Sequence, residues 1–192
     1  MWRALVAAAL LAAALASPAP ALADPMPSGS LGFVTGIIAG TGADASRLGV
    51  GWLMYGGHAA WQPISTDRTY GYTIRWSTML GRLYGADAAE IDDSLSTVQM
   101  DLTVGMRYRP WTTPRRYLTA RIGAELLRAN EPIQISDDPD AEMRRAFVGG
   151  VASVGFDQYI YNFLLSVDVR YGLIGDGPSQ LALLVGFGVT GP

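Results

Sequence analysis

Apolar and polar residues alternate in steps of two along this chain, in repeated segments of roughly ten residues. The clearest segment is 98–109, where Val, Met, Leu and Tyr at even positions alternate with Gln, Asp, Thr, Gly and Arg at odd positions. The pattern returns at 161–172. A period of two is typical of a β-strand with one apolar face, and after the N-terminal region no stretch of about 18 apolar residues could form a membrane-spanning helix. The alternation therefore predicts an all-β protein.

Eight segments follow this pattern. We predict strands at about 30–40, 47–61, 69–82, 96–109, 116–128, 145–156, 161–174 and 179–190. The odd-numbered connectors include the two longest, at about 83–95 and 129–144, and both are acidic, whereas the even-numbered connectors are shorter. This layout is typical of outer-membrane barrels. The sequence thus predicts an eight-stranded antiparallel up-and-down transmembrane β-barrel.

The first 23 residues have the features of a secretory signal peptide. Arg3 provides a positive charge, 4–16 are all apolar, and Ala21-Leu22-Ala23 is a small-x-small cleavage site before Asp24. We expect a cleaved signal peptide at 1–23 and an outer-membrane barrel domain at 24–192.

A soluble barrel of the lipocalin type also alternates, but with its apolar face inside. We keep such a periplasmic lipid-binding protein as an alternative. The small number of charges favours the membrane, since 49% of the residues are hydrophobic and 16% are charged. Glycine favours it too, because an eight-stranded interior has little room for large side chains. On the predicted register, 14 of the 23 glycines lie on the polar face: residues 32, 36, 49, 51, 57, 71, 81, 105, 123, 149, 155, 172, 186 and 188.

Aromatic residues cluster at the strand ends beside the short turns. We predict that they form a girdle at a membrane–water interface. The girdle residues are Trp61, Tyr70, Tyr72, Tyr108, Trp111, Tyr117, Tyr159 and Tyr161.

In its signal peptide, strand number and patterning, the chain resembles the small eight-stranded outer-membrane barrels of the OmpA transmembrane-domain and OmpX type. The resemblance covers nearly all of 24–192. It implies that both termini face the periplasm and that the outer-membrane assembly machinery inserts the chain. That machinery generally reads a last strand that ends in an aromatic residue, and Phe187 is the residue that matches this signal here.

Seven charged residues lie on the polar, lumenal face of the predicted strands. A buried charge costs several kcal/mol unless it is paired, so we expect a lumenal ion-pair network. We predict Asp101 between Arg75 and Arg121 on the adjacent strands, and Asp168 with Arg170 in a second cluster. The network comprises Arg75, Asp101, Arg107, Arg121, Glu125, Asp168 and Arg170. Because eight strands leave no wide channel, we expect negligible conductance.

Other arginines fall at the strand ends beside the long loops. A guanidinium group suits the phosphates of lipopolysaccharide, so we predict a lipopolysaccharide-facing rim. The rim residues are Arg47, Arg82, Arg128, Arg144 and Arg145. The acidic segment 136–142 lacks the spacing of an EF-hand, and we predict neither a metal site nor a cofactor. A net charge of −3 without a basic patch argues against nucleic-acid binding.

One enzymatic alternative is a barrel that modifies lipid A, which would use His together with Ser and a carboxylate. The only histidine, His58, points outward on the predicted register and has no Ser nearby in the sequence. We therefore predict a non-enzymatic outer-membrane protein with a structural or surface-interaction role, such as adhesion or contact with lipopolysaccharide. The sequence leaves the loop partner and the oligomeric state open.

Overall fold

The structure, a computed structural model, describes residues 29–41, 50–62, 70–84, 94–110, 115–134, 143–173 and 179–191. The predictions of a signal peptide, of Arg47 in the rim, of Trp111 in the girdle and of the acidic segment 136–142 lie outside these residues. No helix in the described ranges is long and apolar enough to cross a membrane.

Eight antiparallel strands form a closed barrel in chain order, which confirms the predicted fold class. The strands are β1 (Gly29–Thr41), β2 (Val50–Trp61), β3 (Tyr70–Tyr84), β4 (Ser94–Tyr108), β5 (Arg116–Gln134), β6 (Met143–Ile160), β7 (Phe163–Leu173) and β8 (Ser179–Gly191). The barrel closes between β1 and β8, which pair from Gly29↔Gly191 to Thr41↔Ser179. We call the end with the β2–β3, β4–β5 and β6–β7 connections the turn end, and the opposite end the loop end.

The alternation in the sequence corresponds to the two faces of the barrel wall. In β4 the side chains of Asp101 and Thr103 are buried, whereas Leu102 and Val104 are exposed at 55% and 50%. The polar face therefore points inward and the apolar face outward, the reverse of a soluble barrel.

The chain crosses from β6 to β7 later than the sequence suggested. The predicted connector at 157–160 is strand, and the turn consists of Tyr161 and Asn162 alone. Tyr161 has a positive φ of 54°, a conformation that two-residue hairpin turns commonly require. As a result Asp157 is an inward-facing strand residue, which the sequence analysis did not anticipate.

A bulge in β2 overturns the prediction that His58 points outward. The pairing of β2 with both neighbours shifts near Gly51 and Leu53, where β2 has one extra residue. An extra residue reverses the direction, inward or outward, of every side chain that follows it in the strand. Beyond the bulge His58 therefore faces the lumen and is buried. The neighbouring glycines change sides in the same way, so that Gly56 points inward and Gly57 points outward.

Barrel closure can be tested with cysteine pairs, since the chain contains no cysteine. Leu31 and Val189 are exposed register partners across the β1–β8 seam. We expect Leu31→Cys with Val189→Cys to form a disulfide in the folded protein, because directly opposed Cβ atoms lie about 5 Å apart. The measurement is mobility on a non-reducing gel after mild oxidation.

The control pairs Leu31→Cys with Leu183→Cys, whose register partner is Ile37. These positions are six residues apart along the seam, roughly 20 Å at the rise of a β-strand, so they should not cross-link. Equal cross-linking of both pairs would contradict the register.

Candidate functional site

The barrel interior holds a charged network whose formal charge is balanced. Among the described residues the buried charged side chains are four arginines and four carboxylates: Arg75, Arg107, Arg121, Arg170, Asp101, Glu125, Asp157 and Asp168. All seven residues of the predicted network are among them, and Asp157 is the one the sequence analysis missed. The balance matters because an uncompensated charge in this lumen would cost several kcal/mol.

One ion-pair cluster is centred on Asp168 of β7. Its Oδ2 lies 2.5 Å from Arg75 Nη1 on β3, and its Oδ1 lies 2.7 Å from Arg121 Nη1 on β5. Arg121 continues through Nη2 to Asp157 Oδ2 at 3.3 Å. Two arginines and two carboxylates thus form a neutral chain across the lumen.

A second cluster is centred on Arg170, also on β7. Its Nη1 lies 2.8 Å from Asp101 Oδ2, and its Nη2 lies 3.1 Å from Glu125 Oε2. The Ser77 hydroxyl donates to Asp101 at 2.7 Å, and the Gln99 side chain donates to Glu125. This cluster fills the lumen on the loop-end side of the first.

These contacts differ from the pairing predicted from the sequence. Asp101 does not lie between Arg75 and Arg121; it binds Arg170, and both of those arginines bind Asp168. The prediction considered only adjacent strands. In a narrow barrel the long side chains of β7 reach across the lumen to β3, β4 and β5, which are not its neighbours in the sheet.

The turn end of the lumen is filled by aromatic and polar side chains. Gln62 Nε2 donates to the Tyr159 hydroxyl at 2.5 Å, and Arg107 donates to Gln62 Oε1. The Arg107 guanidinium also lies 5.2 Å from the ring centroid of Tyr117, a cation–π distance. Tyr117 and Tyr159 meet edge to face and pack with Leu164. We call Gln62, Arg107, Tyr117, Tyr159 and Leu164 the turn-end plug.

This plug corrects the predicted girdle, because Tyr117 and Tyr159 lie inside the barrel and are only 3% and 1% exposed. Tyr117 and Tyr159 lie next to the turns, as do the aromatic residues on the outer surface. Position at a strand end therefore could not distinguish inward-facing from outward-facing aromatics. Parity could have done so, since Tyr117 has the same parity in β5 as Thr119 and Arg121. The other described girdle residues are exposed: Trp61, Tyr70, Tyr72, Tyr108 and Tyr161.

The rim arginines are described only in part. Arg128 of β5 and Arg145 of β6 are exposed in the loop-end parts of their strands. Arg82 lies in β3 and Arg144 in β6, but their side chains are outside the described set. The structure therefore places two arginines of the predicted rim on adjacent strands.

Lumen-facing glycines provide the space for the charged side chains. A Cβ on Gly172 would lie 2.5 Å from Glu125 Oε2, and one on Gly71 would lie 2.5 Å from Arg107 Nε. A Cβ on Gly155 would overlap the carboxylate of Asp168 in the same way. The glycine parity thus reflects specific side chains that occupy the space above each glycine.

The structure brings His58 close to Ser166, which the sequence did not predict. A Cβ on Gly186 would overlap Ser166 Oγ and lie 3.4 Å from His58 Cε1. Neither His58 nitrogen nor Ser166 Oγ has a hydrogen-bond partner within the protein. The pair is buried in the lumen, where a lipid substrate does not reach it. Among the described residues no group of three His, Cys, Asp or Glu side chains could hold a metal ion.

No protein-family profile and no curated protein matches the sequence. Solved structures do match. Ail, the attachment invasion locus protein of Yersinia pestis, crystallised with the heparin analogue sucrose octasulfate, matches at 13% identity over 85% of this chain and 97% of that chain, with a TM-score of 0.56. Neisserial surface protein A matches at 12% identity over 85% of this chain and 97% of that chain, also with a TM-score of 0.56. These likenesses confirm the resemblance to small outer-membrane barrels at the level of the fold.

The inference that inward-facing glycines make room for charged side chains can be tested at Gly172. We expect Gly172→Ala to displace Glu125 from Arg170 and to lower the free energy of unfolding by about 1–3 kcal/mol, the usual cost of overpacking. Gly150→Ala is the control, because a Cβ there meets its nearest atom at 3.9 Å. The measurement is urea unfolding in detergent micelles. Equal stability of the two variants would contradict the role of Gly172.

Proposed function

We propose that this chain is an integral outer-membrane β-barrel protein with a structural or surface-interaction role, exported by a cleaved signal peptide at 1–23. The observation that carries the proposal is the outer surface of the barrel. Large apolar side chains cover it on every strand, and Leu31, Tyr72, Ile122 and Val148 are exposed at 65–70%. Such a continuous apolar surface is unfavourable in water and suits a bilayer.

The buried charges support the same proposal. A soluble lipid-binding barrel needs an apolar interior for its ligand and a charged exterior for water. Here eight charged side chains of the described strands lie in the lumen, and the exposed aromatics Tyr70 and Tyr108 stack at 5.0 Å near the turn end. Stacked exposed tyrosines at a strand end suit the interface between lipid and water.

The packed lumen supports a role without a wide pore. The two ion-pair clusters and the turn-end plug occupy successive levels of the interior. Their side chains are nearly all held by cross-lumen contacts, so a solute would have to break several of them to pass. We therefore expect no large, stable conductance steps in planar bilayers.

Surface interaction is the part of the proposal that rests on the arginines. Arg128 and Arg145 are exposed toward the loop end, where lipopolysaccharide phosphates would lie in an outer membrane. The structurally similar Ail was crystallised with a polyanion, sucrose octasulfate. We propose that this rim contacts lipopolysaccharide and that the protein is not an enzyme.

Membrane insertion is tested by placing a charge on the outer face. Ile122 lies in the middle of β5 and is 67% exposed. We expect Ile122→Arg to destabilise the barrel in lipid vesicles by about 2–4 kcal/mol, because the charge would sit in the hydrocarbon region. Asn130→Arg, on the same strand toward the loop end, is the control and should cost about 0–1 kcal/mol.

Outer-membrane fractionation and heat-dependent gel mobility of the unsubstituted protein complete this test. We expect it in the outer-membrane fraction, with a mobility that changes on boiling. A soluble protein whose stability is unaffected by Ile122→Arg would refute the proposal.

The lipopolysaccharide contact is tested separately. We expect Arg128→Gln with Arg145→Gln to weaken binding of lipopolysaccharide micelles about tenfold, equivalent to about 1.4 kcal/mol. The difference in lipopolysaccharide binding between this variant and the unsubstituted protein should be smaller at high salt, because exposed charges are screened. Arg109→Gln, the same charge change near the turn end, should leave binding unchanged. Equal losses in both variants would indicate a general charge effect instead of a rim.

A further inference from the structure

Several buried hydrogen-bonding atoms near the turn end of the lumen have no partner within the protein. They include both ring nitrogens of His58, the hydroxyls of Thr119 and Ser166, and Oδ1 of Asp157. Each of these residues is at least 96% buried. Buried polar groups in native proteins are almost always hydrogen-bonded, because an unsatisfied one loses its hydrogen bonds to water without replacement.

These atoms lie on neighbouring parts of the barrel wall. Asp157 of β6 and Ser166 of β7 are direct register partners. Ser166 and His58 converge over Gly186 of β8, since a Cβ there would contact both side chains. Gly186, the register partner of Ser166, and Gly32, the register partner of His58, carry no side chain, so the wall here leaves space beside both residues. Val34, the partner of Gly186 on β1, borders this space with an apolar side chain.

The zone is enclosed along the barrel axis. On its loop-end side, along β5 and β7, lies the neutral cluster that Arg75, Arg121 and Asp168 form with Asp157. On its turn-end side lies the turn-end plug, in which Gln62, Arg107 and Tyr159 are joined by hydrogen bonds. A ligand in this zone therefore has to be small.

The unpartnered atoms identify the chemistry of the ligand. A neutral imidazole offers one donor and one acceptor, each hydroxyl offers both, and a carboxylate oxygen only accepts. A cation would need converging acceptors and an anion converging donors, so this mixed set suits neither. Water both donates and accepts, and buried waters typically make about three hydrogen bonds to otherwise unsatisfied groups.

We propose that His58, Thr119, Asp157 and Ser166 hold a cluster of ordered water molecules between the Asp168 ion-pair cluster and the turn-end plug. The proposed waters lie beside His58, Thr119, Asp157 and Ser166. Side-chain atoms of Gln99, Glu125 and Gln180, nearer the loop end, also have no hydrogen-bond partner within the protein, but they are outside this cluster. Toward the loop end, the interior of β1, β2, β3 and β8 is an apolar cluster of Val34, Ile38, Met54, Met79, Ala182 and Leu184. A packed apolar cluster offers no hydrogen-bond partners to water, so hydration should differ sharply between the two regions.

The single histidine makes the proposal directly measurable. Labelling the protein with ¹⁵N-histidine and ¹³C-methyl-methionine in detergent micelles isolates the His58 ring among imidazoles. We expect cross-relaxation between water and the His58 ring protons, with the sign that indicates bound rather than diffusing water. The buried methyl groups of Met54 and Met79 should show no such contact with water.

Two outcomes would overturn the proposal. An absence of water contacts at His58 would mean that its nitrogens are buried dry. Equal contacts at His58 and at Met79 would mean a uniformly hydrated channel instead of an enclosed cluster.

A variant tests whether Ser166 shares the site. We expect Ser166→Ala to weaken the water contact of the His58 ring at least twofold while the heat-dependent gel mobility of the barrel is retained. Ser179→Ala, at the loop end of β8, is the matched control and should leave the contact unchanged. An unaltered His58 signal in Ser166→Ala would refute the shared site. If Ser166→Ala fails to fold, a high-resolution crystal structure of the unsubstituted protein decides the question. Ordered water about 3 Å from both His58 and Ser166 supports the proposal, and density showing none refutes it.

Discussion

The narrow interior of an eight-stranded barrel is the constraint on which the rest of this structure depends. Its volume is fixed by strand number, so every large inward side chain must be matched by a small one. The charged residues satisfy this condition because glycines face them: Gly172 faces Glu125, Gly155 faces Asp168 and Gly71 faces Arg107. Its separation from bulk water imposes a second condition, that the buried charges balance, and the four arginines and four carboxylates of the described strands meet it.

The same ion pairs connect parts of the barrel that the sheet leaves apart. Backbone hydrogen bonds join each strand only to its two neighbours. Asp168 and Arg170, both on β7, reach across the lumen to β3, β4 and β5. Cross-lumen contacts of this kind occupy the interior, so a charged lumen can also be a densely packed one. An apolar exterior around such an interior is the arrangement that a lipid environment favours.

Much of the fold could be predicted from the period of two. The alternation of apolar and polar residues shows which face of a strand is polar, and this does not depend on which strands pair with it. The strand number and the burial of the seven predicted charges follow from this alternation, whereas the antiparallel order was predicted from the alternation of long and short connectors. Tyr117 was misplaced although its parity could have shown that it points inward. The directions of His58, Asp157 and Tyr159 were missed because a local feature altered the residue count or the strand boundary. One extra residue in β2 turned His58 inward, and a turn of only two residues kept Asp157 and Tyr159 within β6.

The sequence by itself determined the two faces of most strands and hence seven of the eight lumenal charges among the described residues. Only the tertiary structure decided which of those groups meet. Arg75 and Asp168 are 93 residues apart and lie on strands that never pair, so no pattern along the chain links them. The reason is geometric: periodicity records the direction of each side chain relative to its own strand, whereas contacts across a lumen depend on closure, tilt and the register of all eight strands together.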